Sequence, residues 1–357
     1  MGKVAIITLY DSNIGNRLQN YALQQILKEH RFDAYTYWYS LKSSHIQKIK
    51  GYIKELLGWL HISKYRLYFV ESKRKKGFER FSIRYIKKGK KIDLSRKIRF
   101  EDEYEYYITG SDQVWHNWHN FENELEYFYL TFVPKEKRIA FSPSIGLAKF
   151  PEKDIEMHKY GLSGIKALSC REKAGCEMIK DLSGQEAELL SDPTLLLDKQ
   201  DWVEIERKPT YEIDNKFVLV YFLGGIEKYV NDVIEKYVAE HGCKVINIFN
   251  SDLEKQYYTM PDEFIYLMHH ANYIFTDSYH ACVFSIIFEK DFLVFHRKEL
   301  SHEKMGTRID DLFDRFQIRS RWFGDNLQIG NCKYENVTTI LKEERKRADN
   351  YIEKFMK

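Results

Sequence analysis

Apolar positions recur along the chain in two periods, and the alternation between them is the first structural signal. Short β-type runs occur at residues 4–9, 34–38, 104–109, 138–141, 167–170 and 187–190. Segments with helical apolar spacing lie at 18–27, 154–162 and 173–180. A charged stretch at 195–210 reads as a linker with a short helix. The pattern then restarts with strand runs at 217–222, 244–248, 273–276 and 292–295, and helical runs at 230–239, 263–269 and 279–288. Strands alternating with helices predict parallel sheets covered on both faces, an α/β class of fold. Two such series predict two doubly wound Rossmann-like domains, over residues 1–205 and 206–330. An amphipathic segment lies at 310–316, and the tail at 331–357 reads as a helix that returns to the first domain.

The pattern is clearest from Tyr273 to His296, where a strand, a tight turn, a helix and another strand follow in order. Asp277 and Ser278 fall at the turn, where their side-chain oxygens are expected to cap free backbone N–H groups. His280 falls in the first helical turn, just past the carboxyl end of a strand, where ligands bind in open α/β sheets. A helix start offers unpaired donors and about half a positive charge, so a phosphate or carboxylate suits it. His280 is the side chain there that can move a proton near neutral pH. The helix start alone disfavours an imidazolium and a bound dianion favours it, which would make His280 an acid only with substrate present. The plainer role is a hydrogen bond to a neighbouring loop.

The other strand ends supply further polar groups. The loop at 11–17 carries neither a G-x-x-x-x-G-K nor a G-x-G-x-x-G pattern, but sets Asn16 and Arg17 at a helix start. These residues can hold an anion or a sugar, or serve as cap and surface charge. Gly110, Ser111, Asp112 and Gln113 follow the strand run at 104–109. Ser144, Arg171 and Asp192 follow the next three. A guanidinium at Arg171 can grip a carboxylate or phosphate with two parallel hydrogen bonds, or pair with a neighbouring acid such as Glu172. Lys298 and Arg308 add cations after the last strand run. Two domains of this kind are expected to face each other across a cleft lined by both rows of strand ends. His116 and His119 have a spacing that can suit a metal, but no third ligand is nearby, and they read as surface or loop residues.

Composition narrows the class. The chain has 357 residues, a net charge of +3 and many aromatic residues, which fits a globular protein and gives no case for nucleic acid. Its five cysteines lie far apart without a C-x-x-C pair, which disfavours a zinc site or a disulfide framework and fits a reducing cytosol. No secretory signal is evident, and no apolar stretch reaches the ~20 residues of a membrane span. The expected location is therefore cytoplasmic. Residues 42–97 stand apart, with eighteen basic residues against four acidic ones and aromatics interleaved. They read as helices inserted in the first domain, one of them running from Ser72 as N-cap to Tyr85. Their outer face is either simply solvated or a surface for anionic lipid headgroups at the inner face of a membrane, or for a lipid-linked pyrophosphate.

Several stretches together carry a family resemblance. They are Asn-Ile-Gly-Asn-Arg-Leu-Gln-Asn-Tyr-Ala-Leu-Gln at 13–24, Gly-Ser-Asp-Gln-Val-Trp at 110–115 and Ser-Cys-Arg-Glu at 169–172. Asp-Pro-Thr-Leu-Leu at 192–196, Thr-Asp-Ser-Tyr-His at 276–280 and Gly-Thr-Arg-Ile at 306–309 complete the set. With these, the chain resembles the polysaccharide pyruvyl transferase family. The resemblance implies a two-domain fold of the GT-B type and transfer of the enolpyruvyl unit of phosphoenolpyruvate onto a sugar. The product would be a pyruvate ketal on a surface polysaccharide, such as a capsule or exopolysaccharide, or on its lipid-linked precursor. It implies His280 as general acid and Arg171 as a donor-binding residue. Asn16, Arg17, Gly110, Ser111, Asp112, Gln113, Ser278 and Arg308 are further substrate-binding candidates. No metal and no cofactor is expected; phosphoenolpyruvate is the donor substrate. The alternatives are a GT-B glycosyltransferase using a nucleotide-sugar and an inactive carbohydrate-binding homologue.

Overall fold

A computed structural model describes residues 1–10, 12–40, 45–94, 97–297, 302–324 and 332–357. Lys298 lies outside them. The chain divides into two units: Met1–Ser43, Ser82–Leu197 and Leu341–Lys357 form the first, and Ser44–Phe81 and Asp198–Ile340 the second. The basic stretch at 42–97, expected as an insertion in the first domain, is thus split, with its larger part in the second unit.

In chain order the first elements are β1 (Gly2–Ile7), α1 (Ile14–Glu29), β2 (Phe32–Ser40), α2 (His45–Trp59), α3 (Ser63–Tyr85) and β3 (Lys88–Asp93). There follow β4 (Tyr106–Thr109), α4 (Glu124–Phe128), β5 (Arg138–Ala140), α5 (Ile155–Leu162), β6 (Ser169–Cys170), α6 (Lys173–Ser183) and β7 (Glu188–Leu189). The second series runs α7 (Lys199–Ile205), β8 (Phe217–Tyr221), α8 (Lys228–His241), β9 (Lys244–Asn247), α9 (Glu254–Tyr257) and α10 (Pro261–His270). It ends with β10 (Tyr273–Thr276), α11 (Tyr279–Ile287), β11 (Phe292–Val294), α12 (His302–Arg315) and α13 (Val337–Met356).

Strands of the first unit pair in parallel in the order β3-β2-β1-β4-β5. A parallel bridge from Ile139 to Ala167 leads to the two-stranded sheet of β6 and β7. The second unit has the parallel order β11-β10-β8-β9. The central strands β1, β8 and β10 are buried on both faces, which is why their sequences are continuous apolar runs rather than alternating ones. In each unit the strand order reverses next to the first strand, between β1 and β4 and between β8 and β10. Such reversals are where open α/β sheets bind ligands, beyond the carboxyl ends of the strands.

Two local expectations change. Ser72 is interior to α3, which starts nine residues earlier at Ser63. β3 has the sequence Lys-Gly-Lys-Lys-Ile-Asp and was not legible as a strand. It pairs with β2 alone, at the sheet edge, where lysines blunt an exposed ladder. The tail helix α13 belongs mainly to the first unit, where the Tyr351 hydroxyl donates to the Ala140 carbonyl at 2.8 Å and Glu344 accepts from Ser191 at 2.6 Å.

Candidate active site

In the first unit the strand order reverses over a buried polar network. Asn13 caps α1, its side chain accepting from the N–H groups of Gly15 and Asn16. This turns Asn16 toward the loop after β4, where its amide donates to the Asp112 carboxylate. The Thr8 hydroxyl donates to the Ser111 carbonyl at 2.9 Å, and Gln19 donates to Thr8 and accepts from the Ser111 N–H. Gly110 has φ +114°, and an added Cβ would sit 2.3 Å from the Phe141 carbonyl oxygen, so this turn requires glycine. Gln113 packs its amide against Gly146.

Arg171 lies at the centre of this network, only 3 % exposed. Its Nη1 donates to Asp192 at 2.6 Å, its Nη2 is 3.8 Å from Asp112, and its Nε is 4.0 Å from Glu172. Asp192 is fully buried and also accepts from the backbone and hydroxyl of Thr194 and, at 3.3 Å, from the Ser111 hydroxyl. Glu172 accepts from the Ser144 hydroxyl and from the N–H groups of Ile145 and Gly146. Three carboxylates therefore surround the guanidinium that was expected to grip the donor. Among these carboxylates the nearest is Asp192 rather than the adjacent Glu172. The Arg17 guanidinium stacks 3.7 Å over the Tyr10 ring. His116 and His119 remain apart, stacked on Trp118 and beside Asp154 respectively.

In the second unit the reversal falls between the loops after β8 and β10. Asp277 was expected to cap α11. Its carboxylate instead accepts from the N–H groups of Leu223 and Gly224 and from Arg297 Nε, tying the two loops together. Ser278 is the N-cap residue by backbone position, but its side chain makes no capping bond; its own N–H donates to Thr276 Oγ1 at 3.0 Å. Neither the Asp277 nor the Ser278 side chain caps α11. His280 sits in this first turn, 8 % exposed, with its ring edge-on to Tyr279. Arg308, on α12, holds its guanidinium 6.0 Å from the Tyr279 ring centroid, so the cation stands beside the same turn. Burial keeps the Cys282 thiol protonated far above its ordinary range, which removes it as a nucleophile.

The structure therefore brings together two sets: Asn16, Ser111, Asp112, Arg171 and Asp192 in the first unit, and Ser278, Tyr279, His280 and Arg308 in the second. Thr8, Gln19, Tyr10 and Tyr279 were missed from sequence. Gln19 carried a signal, a polar residue one helical turn after Asn16. Among the described residues, Glu206, His269 and His270 bring one ligand-type atom each within 4.8 Å of one another. Both imidazoles already hydrogen-bond to the Glu206 carboxylate at the end of α10.

A family model described as polysaccharide pyruvyl transferase matches residues 13–298. The chain belongs to that family. It is a transferase by that membership. No curated protein matches it significantly. The UDP-GlcNAc 2-epimerase of Methanocaldococcus jannaschii is a similar solved structure, with TM-score 0.51 and 10 % identity over 97 % of this chain and 99 % of the other. A putative UDP-N-acetylglucosamine 2-epimerase from Listeria monocytogenes gives TM-score 0.51 and 10 % identity over 88 % of each chain. At that identity these likenesses bear on fold alone, and the fold of this pyruvyl transferase family member is α/β of the GT-B type with two Rossmann-like units. Among the described residues no helix is long and apolar enough to cross a membrane.

Proposed function

We propose that the protein moves the enolpyruvyl unit of phosphoenolpyruvate onto a sugar of a surface polysaccharide or its lipid-linked precursor, forming a pyruvate ketal. One observation carries this beyond family membership. An imidazole and a guanidinium stand at the same helix start, at the strand-order reversal of the second unit. Phosphoenolpyruvate brings a phosphate and a carboxylate, and a helix N-terminus with an adjacent arginine suits such an anion. His280 gives its proton to the methylene carbon, which becomes a methyl group, and the adjacent carbon turns electrophilic. A sugar hydroxyl adds to that carbon, and its proton restores the one His280 gave up. The carbon–oxygen bond to phosphate then breaks with the electron pair leaving on phosphate. A second hydroxyl adds, its proton passing to the departing phosphate, and the ketal closes. Arg308 and the helix start stabilise the leaving charge. Arg171 acts indirectly, holding Asp112 and Asp192 under the loops of the first unit.

The experiment is sugar-dependent release of phosphate from phosphoenolpyruvate, with nitrophenyl sugars and lipid-linked sugars as acceptors. The expected result is release with an acceptor and none without. Replacing His280 by Ala should lower turnover roughly 10²–10⁴-fold while leaving thermal unfolding close to wild type. Binding of a nucleotide-sugar with no response to phosphoenolpyruvate would overturn the proposal. Equal losses of turnover and stability in the His280→Ala variant would return the histidine to a packing role.

A further inference from the structure

The described residues expose seventeen large apolar side chains, and nine of them fall between Ile49 and Tyr68. That concentration marks α2 and the start of α3 as an apolar surface rather than a scatter of single exposed residues. The sequence of α2 explains how it arises. At 100° per residue, Ile49, Tyr52, Ile53, Leu56, Trp59 and Leu60 share one arc about 120° wide. Gly51 and Gly58 lie on the opposite side of the wheel. An added Cβ at Gly58 would meet the Tyr65 carbonyl oxygen at 2.3 Å, and one at Gly51 would meet the Tyr68 hydroxyl at 2.9 Å. The glycines therefore seat α2 against α3, and the apolar arc points away from it. Tyr52 is 72 % exposed. A helix of a globular domain normally turns such an arc inward; this one turns it outward.

Charge decides what covers it. Residues 44–81 carry ten Lys and Arg against three Glu, while the whole chain is near balance at 56 against 53. Lys50 and Lys54 flank the apolar arc on one side, about 100° and 140° around the wheel from Ile49. Of the three acids, Glu55 is already paired with Lys76. A second copy of this face would bring the exposed Lys50 and Lys54 of both copies into one interface and repel it. A bilayer carrying anionic headgroups offers the complement: an apolar layer for the arc and negative charge for the flanking lysines. We infer that the outward apolar arc of α2 forms a peripheral docking surface for an anionic lipid bilayer, with α2 lying in the interface plane. This rests on no part of the pyruvyl-transfer reading.

Co-sedimentation of the full chain with vesicles tests it. Wild type should sediment with phosphatidylcholine vesicles carrying phosphatidylglycerol, and not with phosphatidylcholine alone. Binding should weaken as added salt shortens the Debye length from about 8 Å to about 3 Å. The double variant Ile53→Glu/Leu56→Glu should partition about tenfold or more weakly, with circular dichroism and thermal unfolding unchanged because both positions are exposed. Lys50→Glu/Lys54→Glu should weaken binding to the anionic vesicles in the same direction. The inference is overturned if wild type ignores anionic vesicles or sediments equally with neutral ones. It is also overturned if Ile53→Glu/Leu56→Glu abolishes self-association in analytical ultracentrifugation without changing vesicle binding.

Discussion

Replacing Arg171 with Met removes the cation from a site with three carboxylates around it. Asp192, its closest partner at 2.6 Å, is fully buried, and Arg171 itself is nearly so. Removing one member of a buried ion pair leaves an uncompensated charge and typically costs about 3–5 kcal/mol. Against a usual total of about 5–15 kcal/mol, that is a large share of the first unit's stability. At about 2–4 °C per kcal/mol for a unit of this size, the melting temperature should fall by roughly 6–20 °C. The double variant Arg171→Met/Asp192→Asn should recover much of this loss, since Asn keeps acceptors for Thr194 without a charge to strand. The assay is thermal and urea unfolding of the single and double variants, read beside kinetics with phosphoenolpyruvate. The reasoning is refuted if Arg171→Met unfolds within about 1 kcal/mol of wild type while the KM for phosphoenolpyruvate rises steeply. That result would make Arg171 a clamp on the donor rather than a brace under the loops.

Two further outcomes follow from the same geometry. Arg308→Ala should raise the KM for phosphoenolpyruvate roughly 10–100-fold, the worth of a charge-assisted contact, with a smaller effect on unfolding; steady-state kinetics over donor concentration reads it. Burial pushes the His158 imidazole down to about 4 from its ordinary 6.5, so the folded state holds it neutral while the unfolded chain protonates it. The unfolded state then binds more protons between those values, and this contribution, full above pH 6.5, is lost as pH falls toward 4. It amounts to roughly 3 kcal/mol. A His158→Gln variant, compared by thermal unfolding across that range, should show a flatter decline on acidification than wild type.

The sheet framework was legible because its central strands are apolar on both faces and its turns are polar. β10, the turn after it and α11 could be read almost to the residue. The edges were not: β3 is lysine-rich because it pairs on one side only, so no apolar run marks it. α1 was found, but its inner face also carries buried Asn16, Arg17, Gln19, Asn20 and Gln24, which a hydropathy pattern assigns outward. The candidate residues could be named, but not their partners. Asn16 meets Asp112 across 96 residues, and Arg171 meets Asp192 across 21, and no local pattern encodes either pairing. Asp277 shows the same limit: a capping role is the local default at a helix start, yet here the turn after β8, 54 residues earlier in the chain, recruits the carboxylate. In α2 the period was helical but the direction of its apolar face depended on two glycines meeting α3.

The central claim is that a proton reaches the methylene carbon of phosphoenolpyruvate and that a ketal results. Running the reaction in deuterium oxide with a sugar acceptor and examining the product by mass spectrometry and proton NMR tests it most directly. The account predicts a pyruvate ketal on the acceptor whose methyl group carries a single deuteron drawn from solvent. An acceptor left unmodified while phosphate is released, or a ketal methyl formed without deuterium, would contradict it.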